Sequence, residues 1–228
     1  MKQNEYEAKV EQIRTIAPTV KSISLHITKR KEFTFLPGQF VIVSPQEKKE
    51  IRRSYSLASA PTKNELELCV KIVEGGALSS ILDNLTKGQS ITIEGPYGKF
   101  ALQDSEKEKI FIAGGTGIAP LRSMIQSLGN IKTKTWLFYR FKEPQSCLYL
   151  QEWEELARTH EAFTFVPSTT DPMWKGETER PQALIKKYIT TPENKEVYIC
   201  GPPDMVREVV ADLLQQGFTL EQIHREMW

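Results

Sequence analysis

The sequence predicts two domains: a six-stranded antiparallel β-barrel followed by an α/β domain built on a parallel sheet. In the first half, short segments of alternating apolar and polar residues are separated by turn residues, as in an antiparallel barrel. In the second half, continuous apolar runs alternate with helical segments, which is typical of a parallel sheet with crossover helices. The pattern changes at the charged segment DSEKEK, residues 104–109. We therefore expect one domain over residues 1–103 and a second over 104–228.

The first half supplies the strands of the barrel. Ile23, Leu25 and Ile27 alternate with polar neighbours, and a period of two indicates a strand with one buried face. Only Ala77–Leu85 has helical spacing. The predicted strands cover residues 9–14, 23–27, 40–43, 52–59, 66–72 and 91–93.

The second half supplies alternating buried strands and helices. Each apolar run is short and is followed by a segment with apolar residues at helical spacing. The predicted strands are Ile110–Ala113, Trp136–Tyr139, Phe163–Val166 and Val197–Cys200. The predicted helices lie near Pro120–Leu128, Leu148–Thr159, Pro181–Tyr188 and Asp204–Gln216.

Composition excludes several classes of protein. The 228 residues include 30 basic and 29 acidic ones, so the net charge of +1 provides no basic field for nucleic acid. No apolar run reaches about 18 residues and the N-terminus is polar, so we expect neither a membrane span nor a signal peptide. Cys69, Cys147 and Cys200 are too widely spaced for a disulfide framework or for a zinc or iron–sulfur site. These features favour a cytoplasmic protein without a metal site.

The segment IFIAGGTGIAPL, residues 110–121, combines a buried strand, a glycine turn and a helix start. Gly114, Gly115 and Gly117 allow a ligand to approach the backbone, and Pro120 suits a first helical turn. Free N–H groups and the helix dipole make such a turn an anion site. The spacing differs from G-x-G-x-x-G, and a strand–turn–helix without a ligand is the alternative.

Three further segments carry groups suited to ligand binding. Residues 52–59 (RRSYSLAS) place a cation, an aromatic ring and hydroxyls along one strand, although a surface strand with a basic edge is the simpler reading. Gly75-Gly76 opens a short helix, which is a common and unspecific pattern. Cys200-Gly201-Pro202-Pro203 follows a strand at the sheet edge where ligands bind, but Cys200 alone also fits a small buried residue.

Taken in order, these motifs resemble the ferredoxin–NADP⁺ reductase superfamily, over almost the whole chain from about residue 9. The resemblance implies a flavin-binding barrel followed by an NAD(P)-binding α/β domain, without a fused iron–sulfur domain. The matching motifs are Arg53-x-Tyr55-Ser56, Leu68-Cys69-Val70-Lys71, Gly76-x-x-Ser79-x-x-Leu82, Gly95-Pro96-x-Gly98, Gly114-Gly115-x-Gly117-x-Ala119-Pro120 and Cys200-Gly201-Pro202-Pro203.

The resemblance also implies roles in flavin binding. Arg53 would bind the flavin phosphates, Tyr55 would stack on the isoalloxazine, and Ser56 would hydrogen-bond near its N5. Ser54 belongs to the same motif, and the backbone of Val70 and Lys71 would line the ring. The pyrophosphate would be held by Gly76, Ala77, Leu78 and Ser79.

For the pyridine nucleotide, the resemblance implies binding by Gly115, Thr116 and Gly117, with Thr116 between the two cofactors. Cys200, followed by Gly201 and Pro202, would lie against the nicotinamide carbon that releases hydride. Near the carboxyl terminus, Glu226 would handle protons and Trp228 would cover the flavin. Ser56, Cys200 and Glu226 are thus the candidate catalytic residues.

Two departures from the family pattern concern the nucleotide. Thr169 stands where NADP-using members commonly carry arginine, which favours NADH, although Lys142, Lys175 and Arg180 could substitute. The family's Trp-x-Gly-x-x-Gly-Arg is altered to Trp174-x-Gly176-x-x-Glu179-Arg180, which leaves this loop undecided.

The sequence therefore predicts a flavoprotein oxidoreductase that takes hydride from NADH or NADPH onto a bound flavin, FAD in preference to FMN. Electrons would pass to a separate acceptor, such as a ferredoxin or an oxygenase component. Lys48, Lys49, Arg52 and Lys71 could form a docking rim for an acidic ferredoxin. The alternatives are a flavin reductase with diffusible flavin and a non-catalytic nucleotide-sensing subunit. A monomer is compatible with the sequence, which leaves the oligomeric state open.

Overall fold

A computed structural model describes residues 4–28, 32–62 and 64–227 of the chain. The contacts divide these residues into two units. The first comprises residues up to 102 together with 122–127, and the second comprises 103–121 together with 128 onwards. The predicted boundary between residues 103 and 104 stays a prediction.

The first unit is a six-stranded antiparallel sheet. Its strands are β1 (Glu5–Ala17), β2 (Val20–Ile27), β3 (Phe40–Pro45), β4 (Arg53–Ser56), β5 (Glu65–Lys71) and β6 (Ser90–Tyr97), and its helix is α1 (Ala77–Asp83). The strand order is β4-β3-β6-β1-β2-β5. A bridge between Leu57 and Leu68 joins the two edges of this sheet just after β4. The strands thus enclose one core.

The core of the first unit follows the alternation seen in the sequence. Ile23, Leu25 and Leu68 are almost fully buried, and so are Val41 and Val43 of β3. Successive side chains of a strand point to opposite faces, so these residues line the inside while their polar neighbours face outward.

The second unit is a parallel sheet with helices between its strands. The strands are β7 (Glu108–Gly114), β8 (Thr135–Arg140), β9 (Phe163–Ser168), β10 (Lys195–Gly201) and β11 (Ile223–Met227). The helices are α2 (Ile118–Ser127), α3 (Leu150–Thr159), α4 (Pro181–Tyr188) and α5 (Pro203–Gln215), and residues 122–127 of α2 cluster with the first unit. The strand order is β11-β10-β7-β8-β9, all parallel.

The predicted fold class is confirmed: an antiparallel six-stranded sheet precedes a parallel sheet with crossover helices. The sequence prediction was wrong in one respect, because it gave the second sheet four strands and omitted β11. Within Ile223–Met227 only Ile223 is buried, so the segment lacks the apolar run that marked the other parallel strands. Pairing with β10 makes it a strand.

The two faces of the second sheet differ in polarity. Ile110, Ile112, Val197 and Ile199 pack into an apolar core with α4 and α5. The alternate residues point to the opposite face, where Tyr198 stacks between Phe111 and His224 with ring centroids 5.3 and 4.8 Å away.

Candidate functional site

Strand β4 contains the predicted flavin-binding motif. Arg53 and Ser54 are exposed, whereas Tyr55 and Ser56 are half-buried and pair with Val41 and Phe40 of β3. The Arg53 guanidinium donates a hydrogen bond of 2.8 Å to the carbonyl of Arg52. Among the described residues it forms no ion pair with a carboxylate. Its charge is thus available to an anionic ligand.

Tyr55 offers an aromatic surface next to this cation. Its side chain packs against the apolar core of the first unit. Burial raises the pKa of the Tyr55 phenol, and the positive charge of Arg53 opposes this in part. The ring therefore stays neutral, which suits stacking on another flat ring.

Strand β5 ends beside the glycines that precede α1. Val70 is fully buried and Lys71 is exposed, so of the two only Lys71 presents its side chain to solvent. Their backbone pairs with Lys21 and Val20 of β2. These positions allow the backbone contact that was predicted for Val70 and Lys71, and leave it a prediction.

The start of α1 has the form of an anion cradle. Gly76 caps the helix without a side-chain hydrogen bond, so the first-turn N–H groups of Ala77, Leu78 and Ser79 have no intrahelical acceptor. A Cβ atom at Gly76 would lie 2.4 Å from the Ser79 Oγ and 2.9 Å from the Val73 carbonyl oxygen. The Ser79 hydroxyl accepts a hydrogen bond of 3.2 Å from the Val73 N–H, which closes the turn. The backbone N–H groups rather than this hydroxyl are the main donors available to a phosphate.

In the second unit, the glycine turn lies directly against the end of β10. Residues Gly115–Gly117 form a single 3₁₀ turn between β7 and α2, and Gly115 has a φ of 54°, which favours glycine. A Cβ atom at Gly117 would lie 2.3 Å from the carbonyl oxygen of Cys200 and 2.8 Å from the nitrogen of Gly201. The two predicted nucleotide motifs are therefore neighbours at the carboxyl edge of the sheet.

Met205 is a residue of this edge that the sequence reasoning missed. A Cβ atom at Gly114 would lie 2.8 Å from the Met205 sulfur and equally far from the Pro202 Cδ, and one at Gly201 would lie 2.6 Å from the Met205 Cε. Its position in the first turn of α5, just after Cys-Gly-Pro-Pro, was the available signal.

Cys200 and Glu226 occupy paired positions of adjacent strands. Cys200 on β10 is opposite Glu226 on β11, and the thiol is almost completely buried. Burial raises the pKa of Cys200, and the charge of Glu226 raises it further. The thiol thus stays protonated. Cys200 therefore acts as a small packing residue and a weak hydrogen-bond donor, not as a nucleophilic thiolate. Ser56, the third predicted catalytic residue, belongs to the first unit.

The residues predicted to select the nucleotide differ in accessibility. Thr169 is fully buried, and its hydroxyl donates to the Lys142 carbonyl at 2.7 Å and accepts from the Asp171 N–H at 3.1 Å. Arg180 pairs with Glu208 at 3.1 Å. Lys142 and Lys175 are exposed.

Two further predictions concern Trp228 and the basic docking rim. Trp228 lies outside the described residues, so its role as a flavin cover stays a prediction. Of the proposed docking rim, Lys49 pairs with Glu5 and Arg52 pairs with Glu94, the latter at 2.9 Å. Lys48 and Lys71 are exposed. Much of the basic charge of the rim is thus neutralised within the protein.

The residues of the two units suit a flavin and a pyridine nucleotide. Each unit has a tight glycine turn before a helix, at Gly76 and at Gly117, where the protein's own atoms leave no room for a Cβ atom. The first unit adds an exposed cation and a neutral aromatic ring, at Arg53 and Tyr55. These features match a dinucleotide with phosphates and flat rings. In the described residues, no helix is long and apolar enough to cross a bilayer.

Comparison with known protein families and structures agrees with this chemistry. The model of an oxidoreductase FAD-binding domain matches residues 7–102, and that of an oxidoreductase NAD-binding domain matches residues 111–211. The chain is 30% identical to ferredoxin–NADP reductase B of Sorangium cellulosum, over 98% of this chain and 97% of that protein.

Two longer proteins are also similar. The phenol hydroxylase P5 protein of Acinetobacter pittii is 30% identical over 97% of this chain, which spans 65% of that protein's length. The crystal structure of the Amycolatopsis cytochrome P450 reductase GcoB superposes with a TM-score of 0.86 and 27% identity, over 98% of this chain and 69% of that one.

Proposed function

Because the chain belongs to the ferredoxin–NADP reductase family, we propose that it is a flavoprotein oxidoreductase that takes hydride from NAD(P)H. The hydride is transferred to a bound flavin, FAD in preference to FMN, and electrons then pass to a separate acceptor. The observation that carries this proposal is the contact between the Gly115–Gly117 turn and the end of β10 at Cys200. It brings backbone N–H groups that suit a phosphate next to a buried, neutral side chain that suits the flat nicotinamide ring.

In the first unit, the residues bind and orient the flavin. Arg53 neutralises the phosphates, Ser54 and Ser56 offer hydroxyls, and Tyr55 supplies a ring for stacking. Gly76 and the N–H groups that follow it hold the pyrophosphate. When bound, the flavin supplies the redox chemistry, since it accepts a hydride and can release electrons singly.

In the second unit, the residues position the nucleotide. The N–H groups of the Gly115–Gly117 turn receive its phosphates, and Cys200 packs beside the nicotinamide. Glu226 is half-buried next to Cys200, and we assign to its carboxylate the exchange of protons at the flavin. We prefer NADH as the donor because the buried Thr169 offers no guanidinium to a 2′-phosphate.

The acceptor is proposed to be a ferredoxin-like protein or an oxygenase component. The support is that similar proteins include the phenol hydroxylase P5 protein and a ferredoxin–NADP reductase. Lys48 and Lys71 are the residues of the rim that an acidic partner would contact, because both side chains are exposed. We place the protein in the cytoplasm, which is consistent with the free thiols of Cys147 and Cys200.

The test is the visible spectrum of the purified protein before and after a desalting column, followed by activity with NADH or NADPH and a one-electron acceptor. A yellow protein that keeps its flavin and reduces the acceptor supports the proposal. A colourless protein that is active only with added flavin would instead identify a reductase of diffusible flavin. A protein that binds nucleotide without turnover, with or without flavin, would identify a regulatory subunit.

A further inference from the structure

Tyr139 on β8 contacts the backbone of the glycine turn. Its hydroxyl donates a hydrogen bond of 3.0 Å to the carbonyl oxygen of Gly115. The N–H of Ile118 also donates to this oxygen. The Gly115 carbonyl is therefore held from two sides and faces the interior of the second unit.

The orientation of this carbonyl fixes the next N–H group. The Gly115 carbonyl and the Thr116 N–H belong to the same planar trans peptide and point in opposite directions. Because the carbonyl faces inward to Tyr139, the Thr116 N–H faces away from it. No described residue accepts a hydrogen bond from this N–H, which leaves it available to a ligand on the outer side of the turn.

Tyr139 is itself held rigidly. The residue is fully buried, and its hydroxyl accepts a hydrogen bond of 3.3 Å from the Leu148 N–H, just before α3. Its ring meets that of Phe141 edge-on, with centroids 5.6 Å apart, and Phe141 meets Trp174 in the same way at 5.2 Å. The hydroxyl thus occupies one place, as a fixed donor to the turn.

We propose that Tyr139 is a positioning residue for the nucleotide: through its bond to the Gly115 carbonyl, it directs the Thr116 N–H toward the bound pyrophosphate. The inference rests on the proposed nucleotide site, and it assigns a specific donor within that site. Glycine gives the turn its freedom, since Gly115 has a positive φ. The hydrogen bond from Tyr139 then holds the Gly115–Thr116 peptide in the orientation that nucleotide binding needs.

The test compares Tyr139→Phe with Tyr198→Phe in the flavin-loaded protein. Tyr198 is a matched control because it is also fully buried in this sheet, donates one hydrogen bond to Glu196 and accepts one from the Gln103 N–H. The probes are NADH and ADP-ribose, which shares the pyrophosphate but lacks the nicotinamide. For Tyr139→Phe we expect the Kd of both probes to rise about tenfold, the scale of one hydrogen bond to a charged group. Flavin retention and kcat at saturating NADH should not change.

A structural role alone would predict a different outcome. Both variants should lower the melting temperature to a similar extent, but only Tyr139→Phe should weaken the two probes. Unchanged affinity in Tyr139→Phe, or equal loss in both variants, would overturn the inference. If the parent protein binds neither probe, the proposed function itself fails, which is a separate result.

A second measurement needs no variant. In the amide NMR spectrum of the parent protein, ADP-ribose should shift the Thr116 N–H and slow its hydrogen exchange at least tenfold. A Thr116 signal that does not respond to saturating ADP-ribose would contradict the inference even if Tyr139→Phe does not fold.

Discussion

Arg53 and Cys200 show how burial assigns different tasks to two residues of the candidate site. The Arg53 guanidinium is exposed, donates a hydrogen bond to the Arg52 carbonyl and forms no ion pair with a carboxylate of the described residues, so it retains its charge for a ligand. The Cys200 thiol is buried beside Glu226, and its raised pKa keeps it neutral. One residue thus acts through charge, whereas the other acts through shape.

Replacing Arg53 tests its role in flavin binding. Arg53→Ala should weaken flavin binding about ten- to a hundredfold, because a charge-assisted phosphate contact of about 1.5–3 kcal/mol is lost. Arg52→Ala is the matched control, since Arg52 precedes it in the chain but pairs with Glu94. Flavin affinity is measured by fluorescence titration of the apoprotein. Equal affinity in Arg53→Ala and the parent would reject the assignment.

Thr170, rather than Thr169, is the position at which to change nucleotide preference. Thr169 is buried and its hydroxyl makes two hydrogen bonds, whereas Thr170 is exposed. Thr170→Arg should shift kcat/KM toward NADPH about tenfold, the scale of one charge-assisted contact. Thr169→Arg should instead lower stability, because it places a charge in a buried position. A parent enzyme that already prefers NADPH a hundredfold would show that other basic residues bind the 2′-phosphate.

At the scale of elements, β11 adds His224 to a group of titratable side chains on one face of the second sheet. His224 stacks on Tyr198, whose hydroxyl binds the buried carboxylate of Glu196, and Lys109 lies 3.1 Å from the same carboxylate. Burial opposes ionisation of Glu196, but hydrogen bonds from Lys109 and its neighbours outweigh this and lower its pKa. Burial lowers the pKa of His224, with Lys107 and Lys109 adding to the effect and Glu196 opposing it.

The lowered pKa of His224 predicts a pH dependence of stability. Below about pH 6.5 the unfolded chain binds a proton at this histidine more readily than the folded protein does. The free energy of unfolding should therefore fall as the pH drops from about 6.5 toward the lower folded-state pKa. His224→Phe keeps a ring over Tyr198 and should reduce this fall, as measured by urea denaturation at several pH values.

The matched control for this prediction is His160→Gln, because His160 lies outside the Tyr198 stack. Glu196 titrates in a lower pH range and does not obscure the effect. An identical pH dependence in His224→Phe and the parent would contradict the assignment to His224.

At the scale of the whole molecule, the sequence predicted the features that depend on local pattern. Alternation in β2, and the apolar runs of β7 and β10, predicted strands because each sequence pattern matches the burial of its residues. Alternation in β5 also predicted a strand, although its polar residue Glu67 is buried as well. Features that depend on tertiary neighbours were not predictable. β11 is a strand through its pairing with β10, and the buried Thr169 hydroxyl donates to the Lys142 carbonyl, 27 residues away in the chain.

The candidate site shows the same division. The glycines at positions 76 and 117 could be identified from sequence as parts of tight turns before helices, and in the structure a Cβ atom at either one would clash with Ser79 or Cys200. The contribution of Tyr139 could not, since it acts through a hydrogen bond to a carbonyl 24 residues away in the chain. Likewise, the sequence could not predict that Lys49 pairs with Glu5 and Arg52 with Glu94, because these residues come together only when the strands assemble.

The most direct test of the central claim is an anaerobic titration of the desalted, flavin-containing protein with NADH, followed by visible absorbance. Hydride transfer from the nucleotide to a bound flavin predicts that about one molar equivalent of NADH bleaches the flavin fully. Added ferredoxin or another one-electron acceptor should then restore the oxidised spectrum. A flavin that stays bound and oxidised in excess NADH and in excess NADPH would contradict the account.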